Sequence, residues 1–208
     1  MKVIIFGASG TLGSHLVEQA LAEGHEVTAA ARRPDRLKLQ HPRLKREALD
    51  VLDKSAVQEA LRGQEAVIIA LGAGRKGQIR SQGTKVIIAG MEHHQIQRLI
   101  CLSSLGCGDS RANLNFFWRE IMFGLLLKQA MNDHEIQEGL VRKSQLDWTI
   151  VRPGAFSDGP ITKVYRENFA PEDKAISLKI SRADAAHFML QQLEDKRYLH
   201  HAPSLSYA

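Results

Sequence analysis

Short apolar runs alternate with amphipathic segments along most of the chain. The clearest apolar runs cover residues 3–6, 27–31, 66–71, 99–102 and 149–151, and a weaker one covers residues 44–49. Runs of this length that are apolar almost throughout are typical of strands buried on both faces of a parallel sheet. The pattern therefore predicts six strands of a mostly parallel sheet.

Between these runs, apolar residues recur at helical spacing. The segments predicted as helices are residues 12–22, 54–61, 82–91, 116–143 and 182–193, with residues 157–175 as a loop. Gly24, Gly63 and Gly90 fall near helix ends, where a left-handed cap is expected. Alternation of strands and helices implies right-handed crossovers and an α/β, doubly wound Rossmann fold. We expect one domain over residues 1–208, with a substrate pocket built mainly from residues 104–175.

Composition and charge narrow the class of protein. The chain has 208 residues, of which 44% are hydrophobic and 25% charged, and a net charge of +5. Its Lys and Arg residues are scattered rather than clustered, which argues against a nucleic-acid-binding protein. The longest strongly apolar stretch is too short to span a bilayer, and a strand at the N-terminus leaves no room for a signal peptide. We therefore expect a cytoplasmic protein without membrane contact, whose Cys101 and Cys107 form no disulfide.

The most informative motif is GASGTLG, residues 7–13, which lies between the first strand and the first helix. Glycines in such a turn let the backbone approach a ligand closely, and the helix N-terminus attracts a pyrophosphate. The alternative is a plain strand-to-helix turn. Because the motif opens an α/β alternation, the sequence favours a dinucleotide site.

The end of the second strand indicates which dinucleotide binds. An NAD site usually has an acidic residue there for the ribose hydroxyls, whereas this strand runs into Arg32 and Arg33. Two guanidinium groups match a 2′-phosphate, so NADP(H) is the predicted cofactor, with a pair of solvated arginines as the alternative. Asp50 is placed to meet the adenine amino group, and Asp53 is expected to cap the next helix.

Three later strand ends would complete the site. LGAG (residues 71–74) would pass the cofactor ribose, LSSLG (residues 102–106) would place Ser103 and Ser104 near the nicotinamide, and Pro153 and Gly154 would turn against its carboxamide. Each could also be an ordinary turn. No tyrosine is followed four residues later by lysine, so the usual proton donor of carbonyl reduction is absent. A conjugated acceptor such as a flavin, bilin or quinone needs no such donor.

Other polar and apolar features leave alternatives open. The adjacent pairs His93-His94 and His200-His201 point apart and are expected at the surface, so no metal site is predicted. Asp133 and His134 could line the pocket or lie on a solvated helix face. The apolar segment of residues 115–127 could be core, an interface or a lid over a flat substrate.

Together, GASGTLG, AVIIALGAG, LICLSS, LDWTIVRPGAF and ISRADAAHFML resemble the atypical short-chain dehydrogenases of the NmrA-like type, and within them the biliverdin-IXβ reductase (flavin reductase) family. The resemblance covers nearly the whole chain. It implies a monomeric NADPH-dependent reductase of flavins and biliverdins. The alternative is an NmrA-like NADP sensor without turnover.

The resemblance also assigns roles to residues. Those implied for the pyrophosphate are Gly7, Ser9, Gly10, Thr11 and Leu12; for the 2′-phosphate Arg32, with Arg33 or Arg36; for the adenine Asp50 and Val51; and for the ribose Leu71 and Gly72. Ser104 is the implied catalytic residue, and Ser103, Ala155 and Phe156 join it in binding substrate. The chain departs from the family at Pro153-Gly154-Ala155, where the family has Pro-Pro-His, and over residues 106–123.

Overall fold

An eight-stranded sheet forms the centre of the fold in the computed structural model, which describes residues 1–72, 78–170, 173 and 175–208. The described chain has ten strands: β1 (Lys2–Phe6), β2 (Glu26–Ala31), β3 (Leu44–Ala48), β4 (Ala66–Ile69), β5 (Arg98–Leu102), β6 (Asp147–Pro153), β7 (Ala155–Ser157), β8 (Arg166–Glu167), β9 (Lys179–Ser181) and β10 (Ser204–Ser206). All except β7 and β9 belong to this sheet, in the order β3-β2-β1-β4-β5-β6-β10-β8, and among the described pairings only that of β10 with β8 is antiparallel. The predicted doubly wound Rossmann fold is confirmed.

Helices cover both faces of the sheet. They are α1 (Thr11–Ala22), α2 (Lys54–Leu61), α3 (Ile79–His94), α4 (Lys128–Lys143) and α5 (Arg182–Gln191), with short 3₁₀ turns at Pro34–Arg36 and Gly108–Asn113. One apolar core lies between the sheet and α1 with α5, and a second lies between the sheet and α2, α3 and α4. Among the described helices, none is both long and apolar enough to cross a membrane.

The C-terminal end of α3 differs from the one predicted at Gly90. Gly24 and Gly63 have the predicted positive φ, but α3 continues past Gly90 and ends at a left-handed Gln95 (φ 58°). A Cβ on Gly90 would lie 2.5 Å from Leu61 Cδ1. This glycine therefore serves the close packing of α3 on α2 rather than a cap.

The predicted helix of residues 116–143 is interrupted. A π-helical segment, Phe117–Leu126, precedes α4, and Leu127 between them donates its N–H to Met122, five residues back, at 2.7 Å. The wider turn at Leu127 separates the π-helical segment from α4. The prediction of one continuous helix was therefore wrong.

The short strands after Pro153 were not predicted. β7 and β9 form a separate parallel pair, and β10 extends the main sheet beside β6. Strands of two or three residues are too short to show an apolar period. β8, at Arg166–Glu167, also lies inside the segment predicted as a loop.

Candidate functional site

The glycine loop joins β1 to α1 in a conformation that only glycine allows. Gly7 has φ +86°, and a Cβ there would lie 2.3 Å from the carbonyl oxygen of Ala70. At Gly13 a Cβ would lie 2.2 Å from the carbonyl oxygen of Gly7, so this glycine lets α1 pack against the loop. Gly10 differs, since its φ of −77° suits any residue and its Cβ would meet only Gly7 O, at 3.1 Å.

The first turn of α1 presents free backbone donors. Gly10 is the N-cap, and in this part of the described chain no side chain caps the turn and no acidic residue lies in it. The N–H groups of a helix start, together with its dipole, bind phosphate when nothing else satisfies them. The loop therefore fits the pyrophosphate of a dinucleotide.

A cleft of about 690 Å³ opens above the carboxyl ends of the strands. Among the described residues, all those that the sequence predicted for the site line it: Gly7, Ser9, Gly10, Thr11, Leu12, Arg32, Arg33, Asp50, Val51, Leu71, Gly72, Ser103, Ser104, Pro153, Gly154, Ala155 and Phe156. Ala73 and Gly74, the rest of the predicted ribose turn, lie outside the described residues. The fold thus brings the scattered motifs to one edge of the sheet, as the strand order requires.

Three arginines mark one end of this cleft. Arg32 and Arg33 follow β2, Arg36 lies one turn later, and all three are exposed and line the cleft. Within the described ranges none of the three guanidinium groups has a carboxylate partner. Asp50, nearby, accepts a hydrogen bond from the N–H of Leu52 at 3.0 Å, and Asp53 caps α2 as predicted through the N–H groups of Ser55 and Ala56. Unpaired guanidinium groups beside a free helix start fit a phosphorylated ribose.

Ser103 belongs to a buried ion-pair network. Its Oγ donates to Glu138 Oε1 at 2.7 Å, and the almost fully buried Arg152 donates to both oxygens of Glu138, at 2.9 and 2.7 Å. Arg152 also donates to Asp109, at 2.6 Å. Burial alone would raise the pKa of Glu138, but the hydrogen bonds and charge of Arg152, the Ser103 hydroxyl and the charge of Arg142 together outweigh burial and hold that pKa below its usual value. The network fixes the chain immediately before Ser104.

The hydroxyl of Ser104 is held only loosely. It is half-buried, and its Oγ donates to the neighbouring carbonyl of Leu105 at 3.2 Å. Across the cleft, the N–H of Gly154 donates to Leu205 and that of Ala155 to Leu178, at 2.8 and 2.7 Å. The Ser104 hydroxyl is therefore free to turn toward a ligand, whereas the N–H groups of Gly154 and Ala155 are already engaged.

Apolar side chains form the other end of the cleft. The residues that line it are Leu105, Leu114, Trp118, Met122, Phe123 and Leu127. Three of them belong to the π-helical segment, and Leu127 directly follows it. The opposite side of this segment is solvent-exposed, at Phe116, Phe117, Ile121, Leu125 and Leu126. It is thus not part of the core, and we call Phe117–Leu126 the lid segment.

Arg80 was not predicted as a site residue, and His134 was predicted either to line the pocket or to lie on a solvated helix face. Both are buried and line the cleft, and Asp133 is buried as well, so the solvated-face alternative for Asp133 and His134 is wrong. One signal was available, because an arginine in the first turn of a helix opposes the helix dipole and needs compensation.

Among the described residues, no group of three or more His, Cys, Asp or Glu side chains could hold a metal ion.

The protein matches a known family in sequence. A family model described as NAD(P)H-binding matches residues 7–196, from the first glycine of the loop to beyond α5. The chain belongs to this NAD(P)H-binding family. Membership confirms the nicotinamide cofactor that the glycine loop predicted. It also agrees with the fit of the loop and the arginines to a dinucleotide.

Three known proteins illustrate the similarity in sequence or in fold. YwnB of Bacillus subtilis is 29% identical over 203 residues, covering 93% of this chain and 92% of YwnB. The solved structure of ChuY from Escherichia coli O157:H7, an anaerobilin reductase, is 27% identical with a TM-score of 0.80, covering 99% of this chain and 96% of ChuY. A short-chain dehydrogenase/reductase of Veillonella parvula in complex with NADP shares the fold, at 16% identity and a TM-score of 0.83, covering 98% and 93% of the two chains.

Proposed function

We propose that the protein is an NADPH-dependent reductase that transfers a hydride to a conjugated acceptor, a flavin or a bilin. The observation that carries the proposal is the division of the cleft. One end has an uncapped helix start and three unpaired arginines, the other has an apolar and aromatic lining, and Ser104 lies between them. All of these residues come from one chain, so we propose a monomer as the active unit.

The preference for NADP(H) rests on Arg32, Arg33 and Arg36. An NAD site would have a carboxylate at the end of β2, and the chain has guanidinium groups there instead. A guanidinium forms paired, charge-assisted hydrogen bonds with a phosphate, which NAD(H) lacks at this position.

Replacing Arg32 by alanine is expected to weaken NADPH binding about 30-fold, because one charge-assisted contact is worth about 2 kcal/mol. NADH binding should be unchanged. Fluorescence titration of both cofactors measures the effect. Arg62→Ala is the control, since Arg62 is an exposed arginine that pairs with Glu59. Equal affinity of the wild-type protein for NADPH and NADH would exclude the assignment.

The acceptor end suits a flat, unsaturated molecule. Trp118 and Phe123 of the lid segment are adjacent rings, with centroids 5.7 Å apart, and both line the cleft with Met122. Aromatic and thioether side chains stack favourably on planar conjugated systems. The similarity to an anaerobilin reductase supports a bilin-type acceptor.

The chain's own residues would orient the acceptor and leave its protonation to water. When bound, NADPH supplies the hydride. In the described part of the chain no tyrosine lines the cleft: Tyr165 contacts His187, and Tyr207 donates to Asp184. Burial raises the pKa of Tyr165 further, which makes it a poorer proton donor. The Ser103–Glu138–Arg152 network holds the backbone next to Ser104. The Ser104 hydroxyl itself stays free to turn, and it would position both reactants.

Ser104→Ala is expected to slow turnover about 10- to 100-fold without abolishing it, since removing one hydrogen-bond partner costs about 1–3 kcal/mol. NADPH affinity should stay the same, because the phosphate and adenine contacts are untouched. Steady-state kinetics and a binding titration separate the two effects. Complete inactivity of a folded, NADPH-binding variant would make Ser104 an obligatory proton donor and contradict a positioning role.

The rate is expected to vary only gently between pH 6 and pH 8. Among the described residues, the histidine that lines the cleft is His134, and burial together with the Arg80 charge lowers its pKa to about 4. His134 therefore stays neutral throughout this range and takes on a proton only near pH 4. A steep change of kcat around pH 6.5 would mean that an ordinary imidazole takes part in the reaction.

An acceptor panel tests the proposal. FMN, riboflavin, biliverdin and a quinone are added in turn to the protein with NADPH, and NADPH oxidation is followed by its absorbance. Sustained oxidation with at least one acceptor is the expected result. Tight NADPH binding without oxidation for any of them would instead indicate a cofactor sensor.

A further inference from the structure

Arg80 is a buried cation at an unfavourable place. It is the second residue of α3, its side chain is only 10% exposed, and it lines the cleft. A positive charge in the first turn of a helix opposes the helix dipole, and burial removes the water that would solvate it. Such a residue needs a compensating partner.

Asp133 on α4 compensates Arg80 only in part. Its carboxylate accepts the backbone N–H groups of Arg80 and Ser81, at 3.1 and 3.0 Å, and so caps α3. The guanidinium Nη1 lies 3.6 Å from Asp133 Oδ2, beyond hydrogen-bond distance. In the part of the chain that the structure describes, the buried Nε and Nη1 of Arg80 have no hydrogen-bond acceptor. Burial lowers the pKa of Arg80 more than Asp133 raises it.

His134 provides a second unpartnered group beside Arg80. It is 8% exposed and lines the cleft, and its buried Nδ1 has no hydrogen-bond partner among the described residues. It lies one helical turn before Glu138, which holds Ser103 next to Ser104. The two side chains are therefore at the acceptor end of the cleft, away from Arg32 and Arg33.

The free donors around this position suit an anion. Asp133 balances the charge of Arg80, but its oxygens accept backbone N–H groups rather than those of the guanidinium, and His134 is neutral at physiological pH. Burial raises the pKa of the neighbouring Cys107 thiol to about 12, so it is uncharged as well. A carboxylate would accept the free guanidinium N–H groups through charge-assisted hydrogen bonds, which are about twice as strong as neutral ones.

We propose that Arg80 and His134 form a subsite that binds a carboxylate substituent of the acceptor. The proposal rests on the reductase function above, and it specifies the acceptor as a conjugated molecule with an acidic side chain. The guanidinium loses its hydration when the chain folds, so an incoming carboxylate has only its own water to release. This subsite would distinguish bilins with propionate groups from uncharged ring systems.

The test compares biliverdin with its dimethyl ester, which has the same conjugated system without the carboxylates. Binding of each to the NADP⁺-loaded protein is measured by absorbance titration, so that no hydride transfer is needed. The wild-type protein is expected to bind biliverdin at least about tenfold more tightly than the ester. Arg80→Gln should remove this difference by weakening biliverdin binding alone. Arg111→Gln, which removes an exposed arginine, is the control and should keep the difference.

Equal binding of acid and ester by the wild-type protein would overturn the subsite, and so would an equal loss of both in Arg80→Gln. If Arg80→Gln does not fold, Arg80→Lys keeps the charge and should retain part of the preference for the acid. Different results contradict the reductase proposal and the subsite proposal. Preferential binding of the acid without NADPH oxidation contradicts the reductase alone, whereas flavin turnover without bilin binding contradicts the subsite alone.

Discussion

Gly10→Val is expected to abolish NADPH binding in a protein that remains folded. Gly10 has an extended backbone that any residue adopts, and a Cβ there meets only the carbonyl oxygen of Gly7, at 3.1 Å, a tight contact that a shift of a few tenths of an ångström relieves. The branched side chain would instead fill the cleft in front of the first turn of α1, where the pyrophosphate is expected. We expect a loss of at least about 100-fold, or about 2.7 kcal/mol of binding free energy. Fluorescence titration gives the affinity, and thermal unfolding reports the fold.

Gly13→Val is the matched comparison for Gly10→Val. Its Cβ would lie 2.2 Å from Gly7 O and 2.8 Å from two backbone atoms of Ala8, none of which can move independently of the loop. We therefore expect Gly13→Val to lower Tm strongly, whereas Gly10→Val leaves Tm close to that of the wild type. Unchanged NADPH affinity in folded Gly10→Val would place the cofactor elsewhere.

Arg152→Met is expected to lower the free energy of unfolding by about 3–5 kcal/mol, because it leaves Glu138 as a buried charge without its main partner. Arg152 donates to Glu138 at 2.9 and 2.7 Å and is 1% exposed. For a chain of this size the loss corresponds to a drop in Tm of roughly 10 °C. Chemical denaturation followed by circular dichroism measures it.

Arg142→Met is the control for Arg152→Met. Arg142 contacts the same Glu138, but at 3.4 Å and with a side chain that is 42% exposed, so its removal should lower the free energy of unfolding by about 1 kcal/mol or less. Removing both partners, in Arg152→Met with Glu138→Met, should restore part of the stability because no buried charge is left unpaired. Equal effects of the two arginines would mean that the buried pair does not stabilise the fold.

The arginine end of the cleft was predictable because its signals are local. The glycine loop, Arg32 with Arg33, and Asp50 each follow a strand that its own apolar pattern reveals. Once the strands are known, the parallel order brings their carboxyl ends together. The same reasoning placed Ser103 and Ser104, but it could not show that the hydroxyl of Ser103 is bound to Glu138, 35 residues away.

The acceptor end depends on contacts that sequence patterns do not encode. Arg80 and Asp133 are 53 residues apart and meet only because α3 packs against α4. The lid segment resembles a core helix in its apolar content, and its exposed outer side and π-helical turns appear only in the structure. Gly90 likewise looked like a cap until its contact with Leu61 explained it.

Hydride transfer itself is tested most directly in a single turnover. The protein loaded with one equivalent of NADPH is mixed with excess FMN or biliverdin in a stopped-flow instrument, with and without deuterium at the transferred position of the nicotinamide. We expect each NADPH oxidised to yield one two-electron-reduced acceptor, and deuterium to slow the step. Acceptor binding that leaves the NADPH absorbance unchanged would contradict this expectation.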